Sequence, residues 1–194
     1  MPVYLRGLMS LCESGCESIS SRCLADFLGL NSWQIRKDFS FFGDFGTPGV
    51  GYNVKTLSEQ IKKILKLNET QRAALIGVGN LGSALLMYAG FGTYGLEIVA
   101  AFDAGCDKVG RKINGIVVES LSDLPTLSKR EIYLAIIAVP GDVAQATAEA
   151  LVDGGIRGIL NFAPCKIKVS KEVKIITIDI GLDLARLPYY VMAG

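Results

Sequence analysis

Gly77, Gly79 and Gly82 stand in the stretch "ALIGVGNLGSALL", residues 74–86, with the GxGxxG spacing of a nucleotide-binding loop. That spacing serves anion binding by backbone. The first glycine permits a tight turn, the second lets a pyrophosphate approach, and the third lets the following helix pack close to the preceding strand. The helix N-terminus then offers N–H groups and partial positive charge to the phosphates, with Asn80 and Leu81 completing the loop. The hexamer alone is weakly specific, but it follows an apolar strand-like run and opens a helix-like one. Asp103 closes the next apolar run, 21 residues beyond Gly82. A carboxylate there accepts from the adenosine ribose hydroxyls and repels a 2′-phosphate, which selects NAD and NADH over their 2′-phosphorylated counterparts.

Two later loops fall at the ends of apolar runs, where open α/β sheets bind ligands. "AVPGD" (138–142) contributes Val139 and Pro140, and "NFAPC" (161–165) contributes Phe162, whose ring either packs in the core or faces the nicotinamide. Turnover of a dinucleotide needs a group that moves a proton while hydride moves, and a site for the substrate. The chain has no histidine, and no Tyr-xxx-Lys pair follows the third or fourth strand-like run. The nucleotide-binding half uses nearly all of residues 72–194, which leaves no substrate domain. The site therefore reads as one that binds a dinucleotide without turning it over, and no catalytic residue is assigned. No metal site is assigned either. Cys12 and Cys16 stand four apart, but without histidine or a second close pair a zinc ion would need ligands from scattered places. The five cysteines, odd in number and irregularly spaced, read as free thiols in a reducing, cytoplasmic setting.

The scaffold that must position these residues has two grammars. Half of the 194 residues are apolar, enough for a buried core, and the longest apolar runs fall short of a membrane span. Net charge is +1, divided as +2 over residues 1–66 and −1 over 67–194, so no basic field announces nucleic acid. From residue 72 onward, strand-like runs at 72–79, 97–103, 132–140, 158–163 and 173–179 alternate with helix-like segments, the signature of a parallel sheet covered on both faces. Residues 3–66 instead read as helices punctuated by turns, with a boundary near "LKLNETQ" at 65–71.

In that first half, "YLRGLMSLCESG" is a helix stopped at Gly15, "SSRCLADFLGL" a second helix broken by Gly29, and "NSWQIRKDFSFFG" a third capped by Asn31 or Ser32. The glycine-rich "DFGTPGVGYN" follows as a two-stranded flap. "VKTLSEQIKKIL" closes the unit, with Val54, Leu57, Ile61, Ile64 and Leu65 on one face. Helix, turn, helix and flap read as a winged helix, whose second helix of the turn pair enters the DNA major groove, or else as a small helical cap domain with a solvated polar face. On that second helix Trp33, Ile35, Phe39 and Phe42 are expected to pack inward, leaving Gln34, Arg36, Lys37 and Ser40 to face out as base and phosphate donors.

Taken together, "QIRKDFSFFGDFGTPGVGYNV", "GVGNLGSAL", "IVAAFDAGCDKVG", "AVP" and "GILNFAPCKIKV" resemble the Rex family of redox-sensing transcriptional repressors, over about residues 4 to 190. The resemblance implies a winged-helix DNA-binding domain at 1–66, a Rossmann-like NAD(H)-binding domain at 67–178 and a C-terminal helix at 179–194 exchanged between the subunits of a homodimer. It implies that the dimer binds a palindromic operator when the NADH/NAD ratio is low and releases it when NADH binds. Arg36 and Lys37 match the family's DNA-reading pair, with Ser40 beside them. Tyr88 matches a tyrosine that approaches the partner subunit's nicotinamide region. Asp179 matches an acid that trades partners between states, and Arg6 the basic residue that holds it in the DNA-binding form.

Three positions depart from the family pattern. The chain begins at "MPVYLR" where relatives carry further residues, Thr47 and Pro48 stand in the flap where basic residues are usual, and Ala89 replaces a proline after Tyr88. Fewer flap cations mean fewer phosphate contacts and a flatter salt dependence. Two other readings use the same glycine loop: a small NAD-dependent dehydrogenase subunit completed by another chain, and a CoA-binding module. Asp103 argues against the second.

Overall fold

A computed structural model of the chain describes residues 1–43, 45, 46 and 50–192. It divides into two compact units, Met1–Glu69 and Thr70–Gly194.

In the first unit the helices are α1 (Pro2–Glu13), α2 (Ser21–Leu28), α3 (Ser32–Phe42) and α4 (Val54–Ile64). Side chains cap the starts of α2, α3 and α4. Ser20 accepts from the Cys23 N–H at 3.1 Å, Asn31 from the Trp33 N–H at 2.8 Å, and Asn53 from the Thr56 N–H at 2.9 Å. Each helix turns its apolar stripe inward, so Leu5, Leu8, Leu24, Ile35, Phe39, Leu57 and Ile61 are all buried. Phe39 is the centre, its ring edge-on to Tyr4 at 5.1 Å and to Tyr52 at 5.1 Å. The Tyr4 hydroxyl donates to Asp38, tying α1 to α3. Burial and then the Asp38 carboxylate push that hydroxyl's pKa up to about 12.

Of the expected two-stranded flap, residues 44 and 47–49 lie outside the described residues, and its last residues pair elsewhere. Strand β1 (Ser18–Ile19) precedes α2, and β2 (Tyr52–Asn53) pairs with it antiparallel. The late strand of the flap is thus clamped to the start of the helical pair. A strand of two residues carries no alternation for a sequence pattern to show.

The second unit is a seven-stranded sheet: β3 (Gln71–Ile76), β4 (Leu96–Asp103), β5 (Lys112–Ile113), β6 (Ile116–Ser120), β7 (Leu134–Ile137), β8 (Gly158–Asn161) and β9 (Lys174–Thr177). Their order is β5-β6-β4-β3-β7-β8-β9, parallel except where β5 pairs antiparallel at the edge. Alternate residues feed two cores: Ala74, Ile76, Phe102 and Ile137 on one face, Leu75, Ala101, Val118 and Ile136 on the other. Helix α6 (Gly141–Asp153) covers the first face and α5 (Asn80–Met87) the second. Among the described residues no helix is long and apolar enough to cross a membrane.

Two connections depart from the expected alternation of strand and helix. Between β4 and β7 the chain makes the β5–β6 hairpin, turning at Asn114 (φ 48°) and Gly115 (φ 82°), and then 3-10 turns at Leu121–Thr126 and Ser128–Arg130. Residues 162–173, joining β8 to β9, form no helix. Helix α7 (Ile180–Met192) ends the chain and exposes Leu182, Leu184, Leu187, Tyr189, Tyr190 and Val191 to solvent.

Candidate functional site

The strand order reverses at β3, flanked by β4 on one side and β7 on the other, and the loops leaving β3 and β7 part there. This is the switch point at which open parallel sheets hold ligands. The Ala138 N–H donates to Ile76 O at 2.8 Å and the Gly77 N–H to Phe102 O at 2.8 Å, so the loop is pinned from both neighbouring strands.

The three glycines answer three different demands. Gly77 has φ +93°, and a Cβ on it would stand 2.5 Å from the Ala138 carbonyl oxygen. A Cβ on Gly82 would overlap the Gly77 carbonyl oxygen, because α5 packs directly on the loop. Gly79 is the N-cap of α5, and a Cβ on it would meet no protein atom within 4 Å. Packing therefore does not demand glycine at position 79, and the open space there suits close approach from outside. Asn80 and Leu81, both exposed, open α5, and no side chain caps its N-terminus, which leaves backbone donors and the helix dipole for an anion.

Asp103 ends β4 and is buried. Its Oδ2 accepts from the Val78 N–H at 2.7 Å and from Lys108 Nζ at 3.1 Å, and its Oδ1 accepts from the Gly105 N–H at 2.8 Å. Burial pushes the carboxyl pKa up, but the Gly105 and Val78 N–H groups and the Lys108 ammonium outweigh it and hold the pKa below its ordinary value. Three of about four acceptor positions are filled, leaving room for one hydroxyl. Asp103 is thus a brace for the glycine loop, with one acceptor position left open. Lys108 was not anticipated from the sequence. The turn "DAGCDKVG" folds it back onto the acid, and a cation five residues past a strand-end carboxylate is the signal that could have found it.

A cavity of about 340 Å³ gathers Gly77, Gly79, Asp103, Val139 and Pro140, with Lys108 also in its wall. That is near the lower limit of ligand pockets, roughly 300–1,000 Å³, and suits an adenosine end with the remaining phosphates running past α5. The donor set therefore fits a dinucleotide. Phe162 does not line this cavity; it is half-buried and packs on the core cluster that includes Val78 and Ile136. Its loop is fixed by buried Asn161, whose Nδ2 donates to Ala163 O and Cys165 O at 3.1 Å each and whose Oδ1 accepts from the Ala163 N–H at 2.9 Å. Tyr88 is exposed, stacks edge-on to Phe91 at 5.1 Å and lines a separate cavity with Leu86 and Asn114; Ala89 begins a 3-10 turn after it.

In the first unit, Arg36, Lys37 and Ser40 are exposed on α3. Arg36 Nη1 donates to Ser21 Oγ at 3.2 Å, and Ser40 Oγ donates to Lys37 O at 2.9 Å. The inward set needs correction. Ile35 and Phe39 are buried, but Trp33 is 60% exposed and Phe42 45% exposed. At 100° per residue Trp33 lies on the face of Arg36, Lys37 and Ser40, opposite Ile35, while Phe42 sits on the last turn, beyond the packed core. Thr47 and Pro48 lie outside the described residues. Arg6 is exposed on α1, and Asp179 caps α7 by accepting from the Leu182 N–H at 2.9 Å.

Residues 68–165 match the model of a CoA binding domain, and residues 1–40 match that of a putative DNA-binding protein N-terminus. A redox-sensing transcriptional repressor Rex of Syntrophobacter fumaroxidans is 42% identical over 100% of this chain and 93% of that relative. That of Brevibacillus brevis is 42% identical over 98% of this chain and 92% of its own length. Among solved structures, RSP, a Rex-family repressor, in complex with NAD+ and operator DNA is similar with TM-score 0.93 and 35% identity, over 98% of this chain and 88% of that one. RSP in complex with NADH is similar with TM-score 0.88 and 34% identity, over 98% and 89%.

Proposed function

The chain belongs to the Rex family of redox-sensing transcriptional repressors, and from that membership we propose that it is a cytoplasmic repressor that senses the NADH/NAD ratio and is not an enzyme. It binds a palindromic operator as a homodimer when the ratio is low and leaves it when NADH is bound. Residues 1–66 act as the DNA-binding domain, 67–178 as the NAD(H) domain and 179–194 as the helix exchanged between subunits.

The observation that carries this reading is the pairing, in one chain, of two surfaces. The glycine loop presents an uncapped helix N-terminus beside buried Asp103, and α3 presents Arg36, Lys37 and Ser40 outward. Gly77, Gly79, Asn80, Leu81, Gly82, Asp103, Val139 and Pro140 hold the dinucleotide, with Phe162 and Tyr88 serving its nicotinamide end. Arg6 and Asp179 serve the switch. The apolar residues exposed all round α7 support dimerisation, because a helix apolar on every side is buried by a partner in water. A ligand shifts a two-state dimer only by its differential affinity for the two states. NADH must therefore bind the released form better than NAD does, and an apolar surface at the neutral dihydronicotinamide provides that difference.

The test is a duplex selected by the full-length chain from a random-sequence pool, then titrated with NADH and with NAD. Release by NADH at concentrations where NAD leaves the complex intact is the expected result; equal effects of the two would remove the sensing role. The CoA-domain match favours a second ligand class for the same sheet. CoA carries a phosphate on its adenosine ribose, which the acid at the end of β4 disfavours only to the extent that Lys108, 3.1 Å away, leaves its charge uncompensated. Binding of CoA in preference to NADH would reverse the assignment.

A further inference from the structure

We infer that Trp33 is a sequence-reading residue of the recognition helix, placing its indole against thymine methyl groups in the major groove. The inference rests on the reading of α3 as the helix that enters DNA. Residues 33, 36, 37 and 40 follow the spacing i, i+3, i+4, i+7, so the indole shares one stripe with the two cations and the hydroxyl. It lies on the first turn of α3, the end from which recognition helices contact base edges. At 60% exposure the largest apolar side chain of the unit is left in water instead of joining the core around Phe39.

Its geometry is already ordered. Lys37 Nζ stands 4.9 Å from the centre of the indole ring, an i,i+4 cation–π contact that favours this arrangement while most of the indole stays exposed. Phosphates and guanine edges call for the charges of Arg36 and Lys37. The apolar group that base edges display in the major groove is the C5-methyl of thymine. A flat apolar surface held between those cations therefore complements thymine and discriminates it from cytosine, which lacks the methyl.

The sequence contains a single tryptophan, so its fluorescence reports this residue alone. The probe is the duplex selected by the wild-type chain, with thymines replaced one at a time by deoxyuridine, which removes only the methyl. At one thymine per half-site the wild-type affinity should fall about fourfold, the value of one buried methyl group. Trp33→Ala should bind the thymine and uracil duplexes alike, and Trp33→Phe should keep part of the discrimination. Bound duplex should also shield Trp33 from acrylamide quenching. Trp33 is mostly exposed, so neither variant threatens the fold. Three results would overturn the inference: uracil neutral at every thymine, unchanged acrylamide quenching in the complex, or Trp33→Ala keeping the wild-type thymine preference. Failure of the wild-type chain to enrich any duplex would instead overturn the repressor reading itself.

Discussion

The Asp103 carboxylate lies 3.1 Å from the Lys108 ammonium in the wall of the cavity beside the glycine loop. An acid alone at this place repels a 2′-phosphate; an acid paired with a cation presents little net charge. Lys108→Met should therefore sharpen discrimination, weakening NADPH by about tenfold, or about 1.4 kcal/mol, through the bare carboxylate. Titration of cofactor fluorescence with NADH and NADPH measures it. NADPH affinity equal to that of the wild type would show that Lys108 does not shape the ribose site.

Asp103 itself links the site to pH. Its pKa is held below the ordinary 3.8. A depressed carboxyl contributes stability that is complete above the ordinary value and is lost as pH falls through the lower, folded value. Asp103→Asn turns one acceptor oxygen into a donor facing the N–H of Val78 or Gly105, at a cost of about 1–3 kcal/mol. Thermal unfolding followed between about pH 3 and pH 7 should show a wild-type advantage that is full at neutrality and shrinks at the acid end. An advantage independent of pH would mean that charge on Asp103 does not brace the loop.

The glycine loop was legible because each of its residues answers a local steric rule, and the apolar runs were legible because a doubly covered strand has no polar face. Other features left weaker traces. The β5–β6 hairpin announces itself only as Asn114–Gly115, a dipeptide whose positive φ values favour tight hairpins, set between strands of two and five residues. β1 and β2 are too short for any periodicity. On α3 the apolar candidates Trp33, Ile35, Phe39 and Phe42 are sorted by helical period: Ile35 and Phe39 inward, Trp33 outward with Arg36, Lys37 and Ser40. Lys108 was missed because its partner is set by a turn, and a turn's reach is not a sequence period.

Gly79 and Gly82 separate binding from folding. Gly79 has φ −85° and ψ −160°, which alanine adopts, and open space where its Cβ would go. Gly79→Ala should leave the melting temperature unchanged while costing NADH at least tenfold in affinity, by obstructing backbone approach. Gly82→Ala should lower stability by about 1–3 kcal/mol, because its Cβ runs into the Gly77 carbonyl and α5 must move. Calorimetry and cofactor titration on both variants decide it. Loss of stability in Gly79→Ala would assign that glycine to packing.

Asp179 caps α7, and one substitution can part that cap from the proposed switching role. Its Oδ1 accepts from the Leu182 N–H at 2.9 Å, so any change that removes the acceptor frays the start of α7 whatever the residue does in switching. Charge reversal confounds the two. Asparagine caps helices as well as aspartate does but has no charge, so Asp179→Asn should keep helicity, dimer mass and binding of both operator and NADH. If the acid exchanges ionic partners between states, the NADH concentration needed to release operator should rise at least fivefold, about 1 kcal/mol of coupling. Asp179→Ala should in addition lose part of α7, visible in the far-ultraviolet spectrum. Wild-type release by Asp179→Asn, measured by anisotropy of the labelled duplex, would confine Asp179 to its capping role and move the switch elsewhere.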